Sequence, residues 1–435
     1  MKVTSAGISG ADFCGRTNRT IQKAVDAVYL QGGGEVHILP GTYIMYDSLH
    51  LRTGVDIVGS GDKTVLKKTR GFSTLFAADS GYGHFDVSVM HPEQFPPGTG
   101  IHISDEMGKG FYGTVATVLW RDRNVLGISR MLNHDYARCR KATVRSVFPI
   151  ISGYTVDNVL IKNLAIDGNR AQNGYIDGCR GGGIFLLGSR NIKINGVLVS
   201  NYNGDGISFQ QTQNVRISGC RLTGNAGHGL HPGSGSVGAI IEHCEISRNG
   251  CDGIFFCLRV TYCLVERCLI TGNKGDGISM GARDTDHLIR ANRIVANRKC
   301  AVYFRTADLP MGAHRNVLEE NDIGNNCTEG RNAEILIENV AHDVHICKNL
   351  FSGSPRKPYI IAGEECKNIF AFGNRKAGEP VGPMDVKGHI AFQNPARKLK
   401  VGPKHVTRKA VRHLVFGMDN EELVRFGKKA SAVIL

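Results

Sequence analysis

One tryptophan, Trp120, occurs in 435 residues, and Phe, Tyr and Trp together make up 7% of the chain. So sparse an aromatic supply offers no base-stacking platform. A nucleic-acid partner is therefore not expected, despite a formal net charge of +14. No apolar run reaches the length of a membrane span and no signal-peptide pattern is visible, so no membrane partner is expected either. The 13 cysteines are odd in number and lack paired motif spacing. That excludes a recognisable disulfide framework or metal-ligand signature and points to a reducing cytoplasm. No metal or cofactor is required. The L-x-x-L-x-L signature is missing too, which removes the leucine-rich repeat as an explanation of any short period. The surplus of Lys and Arg favours a polyanionic partner such as an acidic glycan, the plainer account being solubility.

What the chain does contain is a repeat. Leu198, Leu222, Ile246, Ile270 and Ile294 lie 24 residues apart, as do Asn201, Asn225, Asn249, Asn273 and Asn297, and Gly196, Cys220, Cys244, Cys268 and Asn292. Between them the sequence alternates apolar and polar residues, then breaks at Asn-x-Gly-Asp-Gly turns such as 273–277. The repeat predicts stacked coils of a right-handed parallel β-helix, roughly 4.8 Å apart. The aliphatic column faces inward, and asparagine sits where a turn tolerates left-handed backbone. The cysteine column also faces inward. Parallel in-register strands aim their Cβ atoms side by side, so reduced core thiols are expected rather than disulfides.

Upstream, Ile21, Ala24, Val25 and Val28 have helical spacing, followed by the strand-like runs 32–43 and 55–61 and, later, 159–168. This order resembles the amino-terminal cap and first coils of the pectate-lyase-like superfamily, which includes polygalacturonase-like enzymes and phage tailspikes. The resemblance implies a helix that plugs the open end of the solenoid. The expected architecture is all-β. Residues 1–84 form the cap and first coils, 85–150 an inserted antiparallel β subdomain, 151–384 the main coils, and 385–435 a basic cap or tail. The insertion either walls a substrate cleft or caps the solenoid. Its polar cluster Asn133-His134-Asp135-Tyr136 reads as a turn that could reach a substrate. The tail holds Lys398, Lys400, Lys404, Arg408, Lys409, Arg412, Arg425, Lys428 and Lys429, so much of the excess charge lies outside the coils.

Chemistry is expected where the turns align. Asp205, His228, Asp252 and Asp276 occupy equivalent places in four coils, with Gln210, His231, Tyr303, Arg259, Arg283 and Arg305 further along the strands. Coil spacing puts Asp252 and Asp276 about 5 Å apart and Asp205 and Asp252 about 10 Å apart. The longer gap suits the water of inverting hydrolysis, and the closer pair can furnish a general acid. An Asp before Gly is also an ordinary turn cap. His228 is sharper, because it interrupts the aspartates. Asn203-Gly-Asp205 resembles the N-x-D motif of polygalacturonases and Gly227-His228-Gly229 their G-H-G motif. That resemblance implies Asp205 in the acid/base set with His228 assisting, although the paired D-D and the R-I-K motifs are absent.

The expectation is a carbohydrate-active enzyme cleaving glycosidic bonds in an acidic, uronate-containing poly- or oligosaccharide. Asp205, Asp252, Asp276 and His228 would be catalytic, while Gln210, His231, Arg259, Arg283, Tyr303 and Arg305 bind substrate. A lyase or epimerase with a His, Tyr or Arg base is the alternative within enzymes, and a tailspike-like glycan-binding β-helix the alternative outside them. A homo-dimer or trimer is compatible with either.

Overall fold

Alternating apolar residues form short parallel strands here because each inward side chain lands on its equivalent one coil away. The computed structural model describes residues 2–108, 110–308, 311–330, 332–338, 340–353, 358–396 and 398–406. It divides into two units. Unit 1 comprises Met1–Leu186, Gly196–Ser208 and Thr223–His228; unit 2 comprises Leu187–Asn195, Phe209–Leu222 and the chain from Gly229 onward. Of the basic tail, only Lys398, Lys400 and Lys404 lie within the described residues.

In unit 1 the expected helix spans Asn18–Leu30, and Ile21, Ala24, Val25 and Val28 are fully buried. It packs on the strands Val3–Gly7 and Gly34–Ile38. Those strands pair in parallel, followed by Val55–Val58 and Asp157–Lys162. The 98 residues between these last two strands contain a six-stranded antiparallel sheet. Its order is Ser73–Leu75, Thr143–Arg145, Gly100–Ser104, Thr114–Asp122, Val125–Ile128, Asp86–Ser88. It has its own core, including Phe95, Ile101, Ile103, Val118 and Val144.

Unit 2 is built from three parallel sheets, each coil contributing one strand to each. One face runs from Arg190–Asn195 through Leu264–Glu266, Leu288–Arg290, Val317–Glu319 and His342–Cys347 to Lys367–Phe372. A second contains Glu245–Ser247, Leu269–Thr271, Arg293–Val295 and Asp322–Gly324. The third contains Leu230–Gly233, Ile254–Phe255, Ile278–Met280, Val302–Phe304 and Ile335–Ile337. Register follows the repeat, with Ile246 opposite Ile270 and Ile270 opposite Ile294. Beyond Ile294 the coil lengthens and Ile323 becomes the partner. Leu222, Ile246, Ile270, Ile294 and Ile323 are all fully buried.

The first coil departs from the expected column. Leu198 is only half-buried, whereas Val199 is fully buried. The reason is a coil of 23 residues: Asn225 accepts the N–H of Tyr202, not of Asn201, and donates to the Val199 carbonyl. Further on, the asparagines form a buried ladder. Asn249 and Asn273 each donate N–H and amide to the Oδ1 of the next, Asn273 and Asn297, at 2.9–3.1 Å. The inward cysteines hold a second turn. Cys220, Cys244 and Cys268 donate to the carbonyls of Ile194, Ile217 and Ile241. Asn292 takes over that position and donates to the Val265 carbonyl at 2.9 Å.

Candidate functional site

In unit 1 the Asp205 side chain is completely buried, and its Oδ1 accepts the N–H of His228 at 2.7 Å. A Cβ added to Gly227 would lie 2.0 Å from that oxygen, which explains the glycine before the histidine. His228 itself is half-buried.

Unit 2 repeats the device. Asp252 Oδ1 accepts the Asp276 N–H at 2.8 Å, and Asp276 Oδ1 accepts the Cys300 N–H at 2.8 Å. Gly275 again makes room for the carboxylate, its Cβ position being 2.0 Å from Asp252 Oδ1. All three aspartates therefore bind backbone one coil on, as turn residues do. Asp276 is buried and Asp252 half-buried.

Asp252 does more than cap. Ser279, which stands opposite Phe255 in the sheet, donates its hydroxyl to Asp252 Oδ2 at 2.7 Å. Arg305 Nη1 donates to the same hydroxyl at 3.0 Å. The Arg305 guanidinium is fixed by the carbonyls of Phe256 and Cys257, by Asp284 Oδ2 at 3.4 Å, and by the Phe255 ring, 4.3 Å from its centroid. Asp284 is wholly buried and accepts the N–H groups of Val260 and Gly281. Burial pushes its carboxyl up to about 7, against the opposing pull of Arg305 and those N–H groups. His287 stacks on Phe256 with centroids 4.4 Å apart, and burial lowers its pKa to about 3, so the ring is neutral.

Of the expected binding residues, His231 meets Phe255 edge-on at 5.1 Å, and Tyr303 donates to Glu338 Oε2 at 2.6 Å. Gln210 is fully buried, its amide pressed against Gly233. Arg259 and Arg283 are exposed at left-handed turn positions, with φ of 55° and 68°. In unit 2 the structure therefore brings Asp252, Asp276 and Arg305 into one hydrogen-bonded group with His231 nearby, and leaves Arg259 and Arg283 outside it. Taken by itself, neither unit has three His, Cys, Asp or Glu ligand atoms converging within 4.8 Å among the described residues.

The family model for the right-handed beta helix region matches residues 146–258 and 182–351. The fold is the right-handed parallel β-helix. A hyperthermoactive exopolygalacturonase from Thermotoga maritima superposes with a TM-score of 0.54 at 14% identity, covering 86% of each chain. The family 28 exopolygalacturonase of Yersinia enterocolitica gives 0.54 at 13% identity, covering 91% of this chain and 79% of its own. The A-module of the mannuronan C-5 epimerase AlgE4 from Azotobacter vinelandii gives 0.49 at 17%, covering 87% and 93%. At such identities the likeness to the two exopolygalacturonases is one of fold. No match among curated proteins was found.

Within this β-helix, sequence reasoning missed Asp284 and Glu338. Asp284 opens the run Asp284-Thr-Asp-His287, which has no counterpart in the neighbouring repeats and was readable as an irregularity. Glu338 lies beyond the regular period, where coil length changes and column reading fails.

Proposed function

We propose that the chain is a carbohydrate-active enzyme that cleaves glycosidic bonds in an acidic, uronate-containing glycan by acid/base hydrolysis. One observation carries this reading. A half-buried carboxylate, Asp252, is joined through the Ser279 hydroxyl to a fixed cation, Arg305, on one sheet face. A glycosidic oxygen needs a proton donor or an activated water, and a uronate needs a cation for its carboxylate. Asp252 and Asp276 take the acid/base roles. Arg305 receives the carboxylate, and His231 and the Phe255 ring contact the sugar. The likeness of fold to two exopolygalacturonases supports a glycan substrate.

A second reading is favoured by a specific feature: Asp205, Asp252 and Asp276 each accept a backbone N–H from the next coil. On that reading the row is structural and the β-helix binds glycan without cutting it. Incubation with galacturonate, mannuronate and neutral oligosaccharides separates the two. New reducing ends without near-ultraviolet absorbance support hydrolysis, and an absorbing unsaturated product means elimination. Binding without either product means a lectin-like role. Asp205→Asn and His228→Ala test the corresponding chemistry of unit 1.

A further inference from the structure

In unit 2, one backbone position per coil, at or just before the start of the strands of the first face, adopts left-handed conformation. Three coils use residues that tolerate it: Asn191, Asn214 and Gly238, with φ of 51°, 54° and 70°. Later coils place Tyr262, Asp286, Arg315, Asp343 and Asn368 there, at 57°, 64°, 55°, 57° and 52°. The backbone at such a position favours asparagine or glycine over a tyrosine or an arginine.

Those five side chains line a cleft of about 930 Å³. Residues 393–396, 398–400, 405 and 406 form its other wall, contributing Gln393, Asn394, Lys398, Lys400 and His405. Along the sheet beneath, register sets Leu264, Leu288, Val317, His345 and Phe370 in one column, so a histidine interrupts an otherwise apolar row. His345 is 7% exposed and lies edge-on to Phe370 at 5.4 Å. Its ring nitrogens make no hydrogen bond among the described residues. Burial lowers its pKa, so the neutral ring offers one donor and one acceptor to the cleft.

The polar groups are oriented. Arg315 pairs with Asp286 in bidentate fashion, Nε to Oδ1 at 2.7 Å and Nη2 to Oδ2 at 2.9 Å. Its Nη1 has no hydrogen-bond partner among the described residues. Asn368 donates to Asp343 Oδ1 at 3.0 Å. Lys398 and Lys400 make no ion pair among the described residues. The cleft thus holds three cations against two carboxylates, Asp286 paired with Arg315 and Asp343 hydrogen-bonded to Asn368 and, at 2.7 Å, to His342 Nδ1, beside amides, a neutral imidazole and the Phe370 ring.

We infer that this cleft binds a small anionic carbohydrate, a sugar bearing one carboxylate or one phosphate. Arg315, Lys398 and Lys400 face the anion, while His345, Asp343 and Asn368 meet hydroxyl groups above Phe370. The volume is that of a small-ligand site, and the charge-assisted contacts supply selectivity for the anion. The site is separate from the Asp252 group and does not depend on its chemistry.

Calorimetric titration of the whole chain with galacturonate, glucose 6-phosphate and glucose tests this. Saturable binding of either anion, with glucose much weaker, is expected. Galacturonate alone identifies a carboxylate ligand, and glucose 6-phosphate alone a phosphorylated one. Arg315→Asn suits the left-handed backbone but strips the buried Asp286 of its bidentate partner, so it should lower the melting temperature and weaken binding at least about tenfold. Lys400→Ala, at an exposed position, should weaken binding without changing folding. Asp252→Asn should leave this binding unchanged, which separates its failure from failure of the cleavage reading. The inference is overturned if neither anion binds, if glucose binds equally well, or if both cation variants bind like wild type.

Discussion

Ser279 donates its hydroxyl to Asp252 at 2.7 Å, from one coil to the preceding one. A turn cap needs only one carboxylate oxygen, and Asp252 already has Oδ1 on the Asp276 N–H. The second bond couples the turn to Arg305 through Ser279 Oγ. Asp252→Asn should therefore fold, since Asn retains an oxygen for the Asp276 N–H. It should lose about two to four orders of magnitude in cleavage rate if Asp252 transfers a proton. Full turnover by Asp252→Asn and Asp276→Asn on a cleaved substrate would leave the row as turn caps.

Arg305 should act on affinity more than on rate. Arg305→Lys keeps a charge but loses the planar fork that reaches Ser279, two carbonyls and Asp284 together. A raised KM for a uronate oligosaccharide, with little change for a reduced, uncharged analogue, is the expected pattern. Equal effects on both substrates would mean that Arg305 only positions Ser279.

The inward columns predict stability effects. Ile246 is fully buried between coils, and Ile246→Ala should cost about 2–5 kcal/mol in denaturant unfolding. Asn273→Ala removes the bonds to the Ile246 carbonyl and Asn297 and strands the Asn249 amide. About 1–3 kcal/mol is expected for each buried group left unsatisfied. A loss below 1 kcal/mol in either variant would contradict the buried columns.

Cys220, Cys244 and Cys268 are at most 2% exposed. Burial also pushes the neighbouring Cys263 thiol up to about 12, disfavouring its reactive thiolate. All four should resist a thiol reagent in native protein and react once it is unfolded without reductant. A disulfide found among them by peptide mapping would refute this.

The repeat made the columns legible because a parallel coil copies its own geometry: one residue's place fixes that of its equivalents at each 24-residue step. The same logic failed wherever coil length changes. The 23-residue step moved burial from Leu198 to Val199, and the longer coils after Ile294 hid Glu338 from column reading. The aspartate row was visible, but its hydrogen bonds were not. Sequence alone cannot show that Asp252 meets Ser279 and Arg305, because those contacts join residues 27 and 26 apart through side-chain rotamers. Gln210 looked outward by alternation, yet it is buried against Gly233. The left-handed column from Tyr262 to Asn368 escaped notice because its residue types vary while its backbone does not.

Asp284 should give the protein a pH-dependent stability of unusual sign. Its folded pKa is about 7, raised by burial, whereas an unfolded aspartate titrates near 3.9. Below about pH 4 both states hold the proton, and above about pH 7 both have lost it. Between these limits the unfolded chain has released a proton that the folded chain keeps. Unfolding then releases a proton, and stability contributed by this group falls as pH rises. The full span amounts to a few kcal/mol at most, since each pKa unit is worth about 1.4 kcal/mol and relaxation reduces the shift. Asp284→Asn removes the titration at a fixed cost in hydrogen bonds to Gly281 and Arg305. The melting temperature of Asp284→Asn relative to wild type should therefore climb steadily between pH 4 and pH 7 and level off above. A difference that stays flat across this range, or one that falls, would show that Asp284 is ionised in the folded protein and held by Arg305 rather than kept protonated by burial.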